Sequence, residues 1–219
     1  MIEIMLISGF AVLSALECLG TKTVWSRRII WSATLIMILV WTFYTDKRLL
    51  SPFCLSTFIV SVFLSYLVYL LSLFIVGTKL NRENMCPIHV VKFKKTIRKA
   101  IVKESVQNIV FSTYEEFLYR WFFQSILFEL TNKAVVSISI GLLVFFLVHL
   151  DKRIAIVQML DILAFSIIIT LWYHFTCDLW TCILIHSIRN ELIICQKYTK
   201  LQQEMNRRDK YFSILKEKA

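Results

Sequence analysis

Residues 106–130 read VQNIVFSTYEEFLYRWFFQSILFEL, an apolar stretch with Glu115, Glu116 and Arg120 set into its middle. A bilayer core needs about 17–25 mostly apolar residues per helix, and this segment is long enough to cross one. An ionised side chain at that depth costs ~2.5 kcal/mol or more, so it is retained when it is paired or functional. The reading of this segment therefore depends on whether the rest of the chain also lives in a membrane.

Further apolar stretches lie on both sides of it, at 4–20, 29–45 and 49–77 upstream and at 134–150, 154–172 and 177–195 downstream. The stretch 49–77 is long and has Pro52 near its start, which predicts a helix that tilts or begins late. Hydrophobic residues make up 58% of the chain and charged residues 18%, with a mean hydropathy of +0.66. A soluble domain averages about 45–50% apolar and roughly 25% charged, so both figures point to the bilayer. Four Gly and two Pro exclude collagenous and linker-rich classes. Cys18, Cys54, Cys86, Cys177, Cys182 and Cys195 follow neither a disulfide framework nor a CxxC metal knuckle. No short leader ending in a small-residue cleavage site is visible, so the first apolar stretch is expected to be a retained span. The fold class that follows is all-α, a polytopic membrane helix bundle of about seven transmembrane helices.

Seven crossings are consistent with the distribution of basic residues. Lys22, Arg27 and Arg28, the eight Lys and Arg between Lys79 and Lys103, Lys152 and Arg153, and the basic tail from Lys197 to Lys218 together place 20 basic residues on one side. Lys47, Arg48 and Lys133 leave 3 on the other. Basic loops mark the cytosolic side, which puts the C-terminus in the cytosol and the N-terminus outside or in a lumen. The net charge of +10 is thus distributed between spans, and nucleic acid is not the expected partner. The chain divides into three N-terminal spans (1–77), a basic segment (78–105), a four-helix core (106–195) and a charged cytosolic tail (196–219) expected to be a short helix. In the basic segment, Ile88, Val90, Val91, Phe93, Ile97, Ile101 and Val102 interleave with Lys and Arg. That pattern suits either a helix lying on an anionic leaflet or a solvated loop.

Most spans lack charge, so the exceptions carry information. Glu116 and Arg120 are one helical turn apart and can neutralise each other. Glu115 points about 100° further round the helix and is left without a cation. Desolvation and a like-charged neighbour suit such a carboxylate to general base work. A packing ion pair explains Glu116 and Arg120 without chemistry, but does not explain Glu115. His186 and Asn190 also share one helix face, where an imidazole and a carboxamide can both donate to an oxyanion; a helix–helix hydrogen bond is the plainer alternative. His149 closes the fifth span, one turn after Phe145, which can shield it from water. Glu115 and His186 each lie about 13 Å in from the cytosolic boundary at 1.5 Å per residue, and His149 is expected to be shallower. A shared cavity would open to the cytosol. His174 and Asp178 form another pair four apart, at the far side. Arg189 is placed to snorkel to the cytosol, and Asp161 admits a packing or a proton-handling role.

Three short strings within these spans, EEFLYR at 115–120, FFLVH at 145–149 and HSIRN at 186–190, resemble in order the EExxxR, FxxxH and HxxxN motifs of the CAAX protease and bacteriocin-processing family of intramembrane proteases. The resemblance covers residues 105–195 and includes the Ras-converting CAAX endoproteases. It implies that Glu115 is the catalytic glutamate, with His149 its partner in activating water. It further implies that His186 and Asn190 stabilise the oxyanion, while Glu116 and Arg120 support the site beside Phe145. The implied activity is endopeptidase cleavage, foremost the removal of the last three residues of a prenylated CAAX protein, whose lipid holds it at the cytosolic leaflet. Other readings are a protease of the same fold acting on another membrane peptide, as in bacteriocin immunity, or a non-catalytic scaffold related to a γ-secretase subunit. A transporter is disfavoured, because the halves show no repeat and no broken helix pair. The family has also been described as metalloproteases, which would make Glu115, His149 and His186 a zinc set. Without an HExxH motif, and with Asn190 better suited to an oxyanion, a mechanism without metal is favoured. The expected setting is the endoplasmic reticulum in a eukaryote or the plasma membrane in a bacterium.

Overall fold

The computed structural model describes residues 6, 8, 9, 32–41, 54–78, 95–150 and 155–217, with side chains through 208. All regular elements among the described residues are helices: α1 (Ser32–Trp41), α2 (Leu55–Ile75), α3 (Lys95–Glu116), a π-helical segment (Phe117–Gln124), α4 (Ser125–Thr131), α5 (Ala134–Val148), α6 (Ile156–Thr176) and α7 (Leu179–Glu217). Most of the expected first span, Pro52 and residues 79–94 lie outside the described residues.

Two of these helices, α2 and α6, are long and apolar enough to cross a membrane, and α1 and α5 are shorter apolar helices. Their outward faces carry Phe63, Phe74, Val135, Ile156 and Phe175, each more than half exposed. Glu116 and Arg120, by contrast, are at 0%. Apolar side chains outside and charges inside reverse the order of a water-soluble bundle, and fit a membrane protein. On α2 the inward face is built from Ser61, Ser65, Val68 and Ser72, and each serine hydroxyl donates to the carbonyl one turn back. Small, self-satisfied polar residues let helices approach closely where lipid offers no hydrophobic driving force. α2 packs chiefly on α7 and also on α6.

Helix ends depart from the expected spans in instructive ways. The long third stretch begins its helix late, at Leu55, and stops in a Schellman turn at Gly77, whose φ of 67° suits glycine. The helical column runs unbroken from Lys95 to Thr131, so the end of the basic segment continues into α3 instead of lying apart from it. Ile97, one of its interleaved apolar residues, is accordingly buried. The tail is not a separate short helix. With 39 residues, α7 is about 58 Å long at 1.5 Å per residue, well beyond the ~30 Å hydrocarbon core. His174 and Asp178 do not form a helical pair, because the chain reverses at Cys177 (φ 52°) between α6 and α7. Asp178 instead accepts from Thr181 N at 3.2 Å and Thr181 Oγ1 at 2.5 Å, satisfying the start of α7.

Candidate active site

Glu115 sits where α3 gives way to the π-helical segment. Wider π turns inside an α-helix are frequent at functional sites, because they rotate successive side chains out of the 3.6-residue repeat. Glu115, in the last turn of α3, faces a cavity, while Glu116 and the run from Leu118 to Gln124 are buried in the bundle core. The cavity has a volume of about 350 Å³, and its walls include Glu115, His149, His186, Arg189, Asn190 and Asn108. The four residues singled out from the sequence for chemistry thus come together from three helical columns.

The geometry centres on Glu115. Its Oε2 lies 3.6 Å from His149 Nε2 and 3.6 Å from His186 Nε2. His149 was expected to be shallower than Glu115, and the structure corrects this. α5 ends at Val148, and the His149 ring folds back onto its own helix. There it stacks at 4.4 Å on Phe145, with Nδ1 2.7 Å from the Phe145 carbonyl. A carbonyl only accepts, so Nδ1 carries a proton, and this bond turns Nε2 toward the Glu115 carboxylate.

A layer beneath holds these groups in place. His186 Nδ1 is 2.8 Å from Glu116 Oε1, and Arg120 Nε is 3.3 Å from Glu116 Oε2. Glu116 therefore serves two partners, and its bond to His186 was not legible from the sequence, which paired it with Arg120 alone. The Arg120 guanidinium also lies 4.6 Å over the Phe145 ring, and Tyr119 meets that ring edge-on at 5.2 Å. Phe145 is thus shared by the cation, by His149 and, at 6.2 Å, by His186. Phe165, which sequence reasoning passed over, packs 4.9 Å from the His186 ring.

Two further features were missed or misjudged. Asn108 donates to the Ser187 carbonyl at 3.0 Å and to Glu191 Oε1 at 2.8 Å, while Ser105 donates to Glu191 Oε2 at 2.7 Å. This bundle of bonds ties α3 to α7 at the cavity wall. Its signal was available, since Asn108, Ser112 and Glu115 follow an i, i+4, i+7 stripe on one face. Arg189 does not snorkel: it is 7% exposed and turns inward to Asp161 on α6 and Ser72 on α2.

A zinc ion held by Glu115, His149 and His186 would sit about 2.0–2.2 Å from each donor. Among the described residues no group of three or more His, Cys, Asp and Glu is arranged to hold a metal ion. Glu115, His149 and His186 are the residues that would hold the ion if the protein uses one, and zinc would then polarise the scissile carbonyl or activate water.

Residues 102–192, from within α3 to within α7, match the family model for Type II CAAX prenyl endopeptidase Rce1-like. That range contains all three motif strings and all the cavity residues named above. No curated protein and no solved structure matches the chain. Glu115, His149, His186 and Asn190 line one cavity, and the family match spans all of them: residues 102–192 are similar to the Type II CAAX prenyl endopeptidase Rce1-like family.

Proposed function

We propose that the protein is an intramembrane endopeptidase that hydrolyses a peptide bond with a glutamate-activated water, acting on the C-terminal CAAX segment of prenylated proteins. The observation that carries this reading is the placement of Glu115 Oε2 within 3.6 Å of two imidazoles on the wall of one cavity. Water bound against Glu115 and His149 Nε2 gives its proton to the Glu115 carboxylate as its oxygen attacks the scissile carbonyl carbon. The carbonyl π electrons move to oxygen, and the oxyanion is met by His186 Nε2–H and the Asn190 amide. Collapse of the intermediate breaks the C–N bond, and the proton held by Glu115 passes to the leaving amine.

The charges around the site suit that sequence. Donation from His186 Nε2 requires a ring protonated on both nitrogens, and Glu116 at one edge and Glu115 at the other flank such a cation. Arg120 offsets the second carboxylate. Desolvated, fixed donors of this kind stabilise developing charge more strongly than water can, because they need not reorient during the reaction. In the proposed seven-span topology the cavity opens to the cytosol, where CAAX tails are found.

The test is cleavage of a farnesylated CAAX peptide by the purified protein, by its Glu115→Gln variant, and in the presence of a chelator. Release of the terminal tripeptide by wild type, lost in Glu115→Gln and insensitive to chelation, is the expected result. Cleavage of unprenylated membrane peptides in preference would move the substrate to another class. Inertness toward both would favour a scaffold.

A further inference from the structure

Arg189 is the least expected residue beside a site that must bind an anion only in the transition state. Its guanidinium is almost fully committed. Nη2 lies 2.5 Å from Asp161 Oδ2, Nη2 and Nε reach Ser72 Oγ at 3.1 and 3.3 Å, and the group stacks 4.7 Å over Phe165. These contacts alone would make it a buried ion pair joining α2, α6 and α7. They leave one contact unexplained: Nη1 donates to Asn190 Oδ1 at 2.9 Å.

That bond decides which end of the carboxamide faces the cavity. Arginine has only donors, whereas a carboxamide has an oxygen that accepts and a nitrogen that donates. With Oδ1 held by Nη1, the Asn190 NH₂ is turned away from the guanidinium, and Asn190 lines the cavity beside His186. The reversed amide would set NH₂ against a cation and offer a carbonyl oxygen to an oxyanion, unfavourable at both ends. Asp161 neutralises the guanidinium, so that the site gains the orienting hydrogen bond without a free positive charge that would also hold ground-state carboxylates. We infer that Arg189, held by Asp161, is a positioning residue that fixes the Asn190 amide as an oxyanion donor. This rests on the proteolytic reading above.

The experiment is a double-mutant cycle in kcat and KM on the farnesylated peptide, with full-length protein. Asn190→Ala should lower kcat by about 10²–10³, the usual cost of one oxyanion donor. The pair Asp161→Asn with Arg189→Gln, chosen so that neither charge is left unpaired in the interior, should lower kcat toward that level with KM unchanged. Introduced into Asn190→Ala, the same pair should cost less than about twofold more, because its target is already gone. Arg189→Lys, which keeps a cationic donor, should recover part of kcat, and supplies the cycle if the neutral pair fails to fold. Losses that multiply in full, or a rise in KM with kcat intact, would overturn the inference and leave the protease assignment standing. Wild-type cleavage that survives Glu115→Gln would instead bring down the glutamate mechanism on which it rests.

Discussion

Nδ1 of His186 lies 2.8 Å from Oε1 of Glu116, joining two buried side chains 70 positions apart in the sequence. The bond changes what the second glutamate of the pair does. Glu116 is the counterion of Arg120 and also the group that fixes the His186 ring, so structure and chemistry meet in one carboxylate. Glu115, one residue earlier, instead faces the two Nε2 atoms of His149 and His186.

The first prediction is a separation between the two glutamates. Glu115→Gln should abolish proteolysis with a melting temperature close to wild type. Glu116→Gln should lose activity and stability together, by roughly 3–5 kcal/mol, because it strands the fully buried Arg120. Thermal unfolding of both variants in detergent, set beside turnover, checks this; equal stability losses would refute the division of roles.

A second prediction concerns His149 and Asn190. His149→Ala should reduce kcat at least as much as the ~10²–10³ expected of Asn190→Ala, with KM little changed in either. Metal analysis of the purified protein accompanies the kinetics. Stoichiometric zinc lost in His149→Ala and His186→Ala, with Asn190→Ala mild, would show that the mechanism proposed here is wrong.

Topology gives the third. Cysteine-accessibility mapping should place Lys94 and the C-terminal tail on the cytosolic side and the N-terminus opposite, following the excess of Lys and Arg in alternate connections. Labelling that puts both chain ends on one side would eliminate the seven-span arrangement.

The fourth concerns the ion pair beyond the candidate site. Lys197 Nζ bonds the Glu104 carboxylate at 2.8 and 3.0 Å, which lowers the Glu104 pKa from its ordinary 4.5 and raises that of Lys197 from 10.5. The Glu104 contribution is present above pH 4.5 and fades as pH falls through its depressed folded value. The Lys197 contribution is present below pH 10.5 and fades as pH rises through its elevated one. Lys197 is 59% exposed, so solvent screening limits the pair to about 0–1 kcal/mol. Glu104→Gln should therefore shift the unfolding midpoint slightly at neutral pH, and less still in high salt; a loss of several kcal/mol would show that the pair is shielded.

What the sequence determined by itself is what depends on near neighbours and on solvent. Apolar run lengths marked the regions of α2, α5 and α6, and the four-residue spacing of Glu116 and Arg120 placed them on one turn. The i, i+4 spacing of His186 and Asn190 put an imidazole and a carboxamide on one face of α7. Tertiary structure alone decided which residues of different helices meet: Glu116 with His186, Arg189 with Asp161 and Ser72, and His149 with Glu115. The physical reason lies in the solvent. A helix whose lipid-facing side is as apolar as its packed side shows little asymmetry in sequence, so its rotation about its own axis is not written in its hydrophobic pattern. Those rotations are set by close fits such as the serine face of α2 and by buried polar bonds that hold only in one register. The π turn after Glu116 adds a local rotation that an ideal 3.6-residue helix does not contain, and over its length Leu118 to Gln124 are all buried in the bundle.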